Sequence, residues 1–285
     1  GELMRFGACG LAGHRALLLQ SARAAGTEAA PPVVLIGGTA QWLDSWTAHA
    51  QAISRDRRLL LYETRGQGRA PHELDVSLDT HARDLATVRR AAGWAEDEAF
   101  DLVGFSFGGR VAMAAAATGA LPVRRIITTA VASRRSARGR LALRGCLSSL
   151  DARDLHGFAY QMILASYSES FLEQHEARVP QWIEAIAEAN TCEGLGAIVK
   201  ETLATEAEEH PRHTLRLAEA IRAQGAVEAG LVISGSEDSF STIESAAELA
   251  AAAEWEHVIV EGAAHAVPLE QSSAWRKVVR TFLDS

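Results

Sequence analysis

Chemistry is most legible in the run Gly104-Phe105-Ser106-Phe107-Gly108-Gly109. It follows the apolar stretch Phe100-Asp101-Leu102-Val103 and leads directly into an alanine-rich stretch, so a buried strand should turn sharply into a helix with Ser106 at the corner. A hydroxyl held there is exposed at a helix N-terminus, where the dipole favours developing negative charge. Glycine-rich turns after strands also cradle phosphates, and Gly-x-Ser-x-Gly alone does not separate the two uses. A serine nucleophile needs a base, and the base needs a carboxylate that fixes its tautomer. Downstream, Leu231-Val232-Ile233-Ser234 leads to Asp238, and His257-Val258-Ile259-Val260 leads to Glu261-Gly262-Ala263-Ala264-His265. Asp238 and His265 therefore both fall just past the C-terminal end of a strand, on the edge where open α/β sheets place their sites. Glu237 is the competing acid, but one residue along it should point elsewhere. Singly, Asp238 reads as a turn former and His265 as a loop histidine; with Ser106 they predict nucleophilic acyl transfer.

An oxyanion needs two backbone donors. One is the N–H of Phe107. The other is expected from Gly37-Gly38-Thr39-Ala40, at Thr39, with Ala40 as the one-residue alternative. This loop carries neither the dinucleotide glycine pattern nor a Walker lysine, which disfavours phosphate binding.

The elements that must position these groups follow an α/β rhythm. Apolar runs at 33–36, 58–62, 100–104 and 125–129 stop at glycine or threonine and fit strands buried on both faces of a parallel sheet. Leu78, Ala82, Leu85 and Val88 mark a helix face, with Ser77 or Asp79 available as N-cap. Between 134 and 224 the β runs vanish and amphipathic stretches follow at 155–165, 170–177, 181–189, 195–205 and 214–223, with Pro180 and Pro211 breaking the series. The rhythm resumes with strands at 231–234 and 257–260 and helices near 243–253 and 272–282. The expectation is a mostly parallel, doubly wound α/β core over 1–133 and 225–285, with an all-helical cap over 134–224.

Composition narrows the partners. With 48% hydrophobic and 22% charged residues the chain reads as globular, and its net charge of −8 recommends neither nucleic acid nor an anionic membrane surface. No apolar run approaches the roughly 20 residues of a membrane span. Cys9, Cys146 and Cys192 stand far apart and form no disulfide framework, which suits a reducing compartment or simple indifference to redox; the expectation is a cytoplasmic or organellar, non-secreted protein. The chain begins at Gly1 rather than Met, so the want of a signal peptide is weak evidence about location. Oligomeric state is not legible.

The chain resembles the α/β-hydrolase superfamily. Besides 104–109, the resemblance rests on Leu35 to Trp46, on Tyr62-Glu63-Thr64-Arg65-Gly66-Gln67-Gly68-Arg69, and on the Asp238 and His265 segments in the order Ser, Asp, His. Two positions depart from its pattern: Gly37-Gly38 stands where His-Gly is usual, and Glu63 where Asp is usual. Serine at 106 rather than aspartate argues against dehalogenase and epoxide hydrolase chemistry. The resemblance implies an esterase-like reaction through an acyl-enzyme, on an ester by default, with thioester, lactone or carbon–carbon bond cleavage sharing the machinery and no cofactor or metal needed. The segment through Arg110-Val111-Ala112-Met113 also resembles MenH-type enzymes, which perform an elimination on an anionic substrate. This makes Arg110 a candidate pocket residue, with a structural ion pair on the first helical turn as the equal alternative. A non-enzymatic small-molecule receptor on the same fold is the third reading.

The cap should roof Ser106. Phe158, Met162, Phe171 and Trp182 are candidates to line an apolar pocket for a small-molecule substrate, or to pack the cap on the core. Arg134, Arg135, Arg138, Arg140 and Arg144 open the cap as a basic run, read as a solvated face. His210 and His213 lack the further ligands of a metal set and read as a loop and a helix start.

Overall fold

The computed structural model describes residues 3–21, 30–70 and 74–285. The first half comprises β1 (Leu3–Leu11), β2 (His14–Ser21), β3 (Ala30–Ile36), α1 (Leu43–Ile53), β4 (Arg57–Tyr62), α2 (Leu78–Ala91), β5 (Phe100–Phe105), α3 (Phe107–Ala117) and β6 (Val123–Thr129). A helical stretch follows: α4 (Ala137–Asp151), α5 (Leu155–Ser166), α6 (Glu169–His175), the 3₁₀ turn Glu176–Arg178, α7 (Val179–Ala189), α8 (Cys192–Ala204) and α9 (Thr214–Gln224). The chain closes with β7 (Ala229–Gly235), α10 (Ile243–Ala253), β8 (Glu256–Val260), α11 (Val267–Glu270) and α12 (Ser272–Asp284).

Eight strands form one sheet in the order β1-β2-β4-β3-β5-β6-β7-β8. From β4 to β8 all neighbours are parallel, whereas β1 and β2 join antiparallel. The strands alternate strictly between two cores. Val34, Ile36, Leu60 and Leu102 face α2, α3, α9 and α10, whereas Val33, Leu35, Leu59 and Val103 face α1 and α12. Both faces of these central strands are buried, which is why their middle residues are apolar.

Three features differ from expectation. The β1–β2 hairpin is absent from the sequence reading because its two-residue turn is Ala12-Gly13, with φ of 50° and 86°, rather than a recognisable Asn-Gly pair. A helix over 137–151 was not expected, yet α4 lies there: its buried face, Leu143, Cys146 and Leu150, packs on α5 and α8, while Arg134, Arg138 and Arg144 of the basic run are exposed. The helix at 214–223, expected in the insertion, lies on α3, with Leu217, Ala218 and Ile221 in the sheet-side core. Helices α4, α5, α7 and α8 share a separate cluster centred on Leu143, Phe158, Ile183 and Leu195. Among the described residues no helix is long and apolar enough to cross a membrane.

Candidate active site

Ser106 sits between β5 and α3 with φ 51° and ψ −117°, a left-handed strain that this corner imposes on a side-chain-bearing residue. Its glycines are there by close approach. A Cβ at Gly104 would meet the backbone of Gly108 and Gly109, and one at Gly108 would collide with the carbonyls of Ile36 and Gly37. The Ser106 amide donates to Thr129 O at 2.8 Å, anchoring the corner to β6.

Ser106 Oγ lies 2.9 Å from His265 Nε2, and His265 Nδ1 lies 2.9 Å from Asp238 Oδ2. The other carboxylate oxygen, Oδ1, accepts from the amides of Phe240 at 2.8 Å and Ser241 at 2.9 Å. Asp238 is thus an acceptor throughout, which places the imidazole proton on Nδ1 and leaves the Nε2 lone pair to receive the Ser106 hydroxyl. The rings of Phe105 and Phe240 flank His265 at 5.7 and 5.2 Å and keep it buried. Glu237 is exposed and its backbone amide donates to Ala263 O.

The His265 loop is tied down on both sides. Ala264 N–H donates to Glu270 Oε1 at 2.9 Å, and Ala266 N–H donates to Ser166 O at 2.9 Å. Glu270 Oε2 also accepts from the amide and hydroxyl of Ser168, at 3.0 and 2.5 Å. The turn between α5 and α6 therefore holds the loop carrying the imidazole.

Three side-chain amides fix the loop at 38–40. Gln41 Oε1 accepts from Gly38 N–H at 2.6 Å and from the Trp46 indole at 2.8 Å. Gln67 accepts from Ala40 N–H at 2.8 Å and donates to Gly38 O at 3.2 Å. Asn190 donates to Ala40 O at 3.4 Å and accepts from Gly68 N–H at 3.0 Å. The amide of Thr39 has no acceptor among the described residues, nor has that of Phe107, the first residue of α3. Glu63 does related work: one oxygen accepts from Leu43 N–H and Arg15, the other from Arg69 N–H, securing the start of α1.

A cavity of about 390 Å³ opens above Ser106 and His265. Met162 and Trp182 border it, as do Phe171, Tyr167, Trp42 and Leu269. Two candidates do not. Phe158 is fully buried one turn upstream on α5, where it fills the core shared by α4, α5, α7 and α8 instead of the cavity reached by Met162, Ile163 and Ser166. Arg110 turns away beneath α8, donating to Thr202 O and Thr205 O at 3.5 and 3.4 Å and lying 3.8 Å from Glu206. Burial and the neighbouring Arg135 lower Arg110 to about 9, against the pull of Glu206 and Glu201. Burial pushes Glu206 the other way, yet Arg135 and Arg110 together hold it below the usual carboxylate range. His213 caps α9 by accepting from Leu215 N–H, and no metal-holding cluster of His, Cys, Asp or Glu occurs among the described residues.

Gln41, Gln67, Asn190 and Glu270 were not singled out by sequence reasoning. Gln67, Asn190 and Glu270 each bind groups remote in the chain, at Gly38 and Ala40, at Ala40 and Gly68, and at Ser168, whereas Gln41 binds Gly38 and Trp46 within its own loop; no sequence pattern marks these contacts. Trp42 and Tyr167 had one weak cue each, an aromatic next to the 37–40 loop and one at the end of an amphipathic stretch.

A family model of the alpha/beta hydrolase fold matches residues 31–272, and the chain belongs to that family. No curated protein matches it. Among solved structures, the enol-lactonase from Burkholderia xenovorans LB400 is 22% identical with a TM-score of 0.79, the match covering 97% of this chain and 99% of that one. A thermophilic esterase from Thermogutta terrifontis is 21% identical with a TM-score of 0.76, covering 100% and 98%. MenH from S. aureus is 15% identical with a TM-score of 0.75, covering 94% and 97%.

Proposed function

We propose that this protein is a serine hydrolase that cleaves a carboxylic ester of a small, mainly apolar substrate through an acyl-enzyme on Ser106. The observation that carries the reading is the hydrogen-bonded sequence Ser106–His265–Asp238 at the floor of an apolar cavity. In the proposed reaction His265 Nε2 takes the Ser106 proton as Oγ attacks the carbonyl carbon. The oxyanion forms against the amides of Phe107 and Thr39; Ala40 is the poorer choice because Gln67 already accepts its N–H. Asp238 orients the imidazole and stabilises its protonated form. The leaving alcohol takes that proton, and water, deprotonated in turn by His265, releases the acid. The insertion α4–α8, residues 134–213, acts as the cap of this pocket. The enol-lactonase and esterase among the structural relatives act on such bonds and support an ester or lactone as the substrate class.

An elimination on an anionic substrate is disfavoured, since Arg110 faces away and no Lys or Arg borders the cavity among the described residues. A receptor without turnover is separated by assay. Ester hydrolysis should be measurable in the native protein and fall in Ser106→Ala by on the order of 10⁴–10⁶ in kcat. Equal turnover by that variant would defeat the mechanism.

A further inference from the structure

Tyr167, Phe171 and Trp182 border the cavity together and lie nearly parallel, with interplanar angles of 12°, 25° and 25°. Their centroids are 5.0, 5.8 and 6.0 Å apart. Three parallel rings in one column would leave the outer pair about twice as far apart as neighbours. A nearly equilateral triangle instead means three mutually offset, stacked rings, a compact aromatic cluster at the edge of the cavity. His175 stacks on Phe171 at 4.1 Å and the Arg178 guanidinium lies 5.8 Å from the Trp182 centroid. Neither borders the cavity, so both act as backing from outside.

The rest of the lining is uncharged. Met162, Ile163, Ile186 and Leu269 add aliphatic surface, and among the described residues no Asp, Glu, Lys or Arg borders the space. Burial, and then the Glu270 carboxylate, push the Tyr167 phenol well above its ordinary range, so it stays neutral. An aromatic cluster of this kind rewards offset or edge-to-face contact with a planar ring beyond what its apolar area alone gives. A cavity of this volume suits a small molecule rather than a long chain.

We propose that the substrate carries an uncharged aromatic ring that packs on the Tyr167–Phe171–Trp182 cluster while its ester lies at Ser106; this rests on the serine-hydrolase reading above. The test separates aromatic contact from hydrophobicity with matched pairs: ethyl 3-phenylpropanoate against ethyl 3-cyclohexylpropanoate, and benzyl acetate against cyclohexylmethyl acetate, with monoethyl succinate as the charged comparison. In at least one pair kcat/KM for the phenyl member should exceed the cyclohexyl member by about three- to tenfold. Phe171→Leu and Trp182→Leu, each verified as folded by thermal melt, should bring that ratio close to one. Monoethyl succinate should be the poorest substrate. Ser106-dependent turnover with no phenyl preference in either pair, or with the succinate best, would overturn the aromatic assignment while leaving the hydrolase reading intact. Calorimetry on Ser106→Ala reads the aromatic cluster without catalysis. Tighter binding of 3-phenylpropanamide than of 3-cyclohexylpropanamide supports it even if the nucleophile assignment fails. Equal or weaker binding, or none at millimolar concentration, overturns it.

Discussion

Replacing Asp238 by asparagine tests the electrostatic logic of the site most sharply, because the substitution preserves shape. Oδ1 accepts two backbone amides, from Phe240 and Ser241, while Oδ2 receives His265 Nδ1–H. An asparagine must choose. If its oxygen stays with the two amides, its NH₂ faces Nδ1, which must then accept; the proton moves to Nε2, and Ser106 loses its base. Rotating the amide restores the productive tautomer but leaves two buried N–H groups facing a donor. At about 1–3 kcal/mol for each unsatisfied group, the productive arrangement lies roughly 2–6 kcal/mol uphill. That corresponds to a loss of about 30-fold to 2 × 10⁴-fold in kcat. The assay is steady-state hydrolysis of a simple ester, with a melting curve on the same sample. Stability should change little, since the favoured amide rotamer keeps both backbone bonds. Glu237→Gln, at an exposed position, should leave kcat unaltered. Retention of more than a tenth of native kcat by Asp238→Asn, or a large loss in Glu237→Gln, would refute the assignment.

Other outcomes follow from the same geometry. Gln67→Leu frees Ala40 N–H and Gly38 O and loosens the Thr39 amide, so kcat should fall about 10- to 100-fold with KM within a few-fold. Affinity for a trifluoromethyl ketone, which binds as the tetrahedral adduct, should fall in parallel; unaltered affinity would show that Gln67 does not position the donor. Glu270→Ala cuts the ties to Ala264 and Ser168, and should slow the reaction of Ser106 with a small fluorophosphonate about tenfold; a change in melting temperature alone would make Glu270 merely structural. His49 lies against Trp46 and Trp275, where burial, aided by Arg276, lowers it to about 4 from an ordinary 6.5. The unfolded chain therefore binds the proton first, so stability is full above about pH 6.5 and is lost as pH falls toward 4, by a few kcal/mol. Denaturant melts across that window should show this slope in the native protein and a flatter one in His49→Phe.

The parts of the fold that sequence made visible are those governed by short-range rules. Strands β3 to β8 each carry a short apolar run ending near turn residues, and α10 and α12 follow their apolar faces, so their positions were readable within a few residues. Ser106, Asp238 and His265 were visible because each sits at the end of such a strand, and the fold brings those three within hydrogen-bond distance. What was not visible depends on partners remote in the chain. Arg110 has the same local sequence whether it faces the cavity or α8, and only the carbonyls of Thr202 and Thr205 and the carboxylate of Glu206 decide. Phe158 and Met162 are one turn apart on α5, yet one fills a core and the other borders the cavity. Thr214–Gln224 is amphipathic in either setting; α3 rather than the insertion receives it. Glu63 extends the carboxylate by one methylene and still reaches Leu43 and Arg69, a substitution whose tolerance rests on the loop it spans.

The most direct measurement is the site of covalent capture. Incubation of the native protein with a fluorophosphonate, followed by intact mass and peptide mapping, should give one adduct, located on Ser106, with concurrent loss of esterase activity. An adduct elsewhere, or hydrolysis that continues with Ser106 fully modified, would contradict the assignment of Ser106 as the nucleophile.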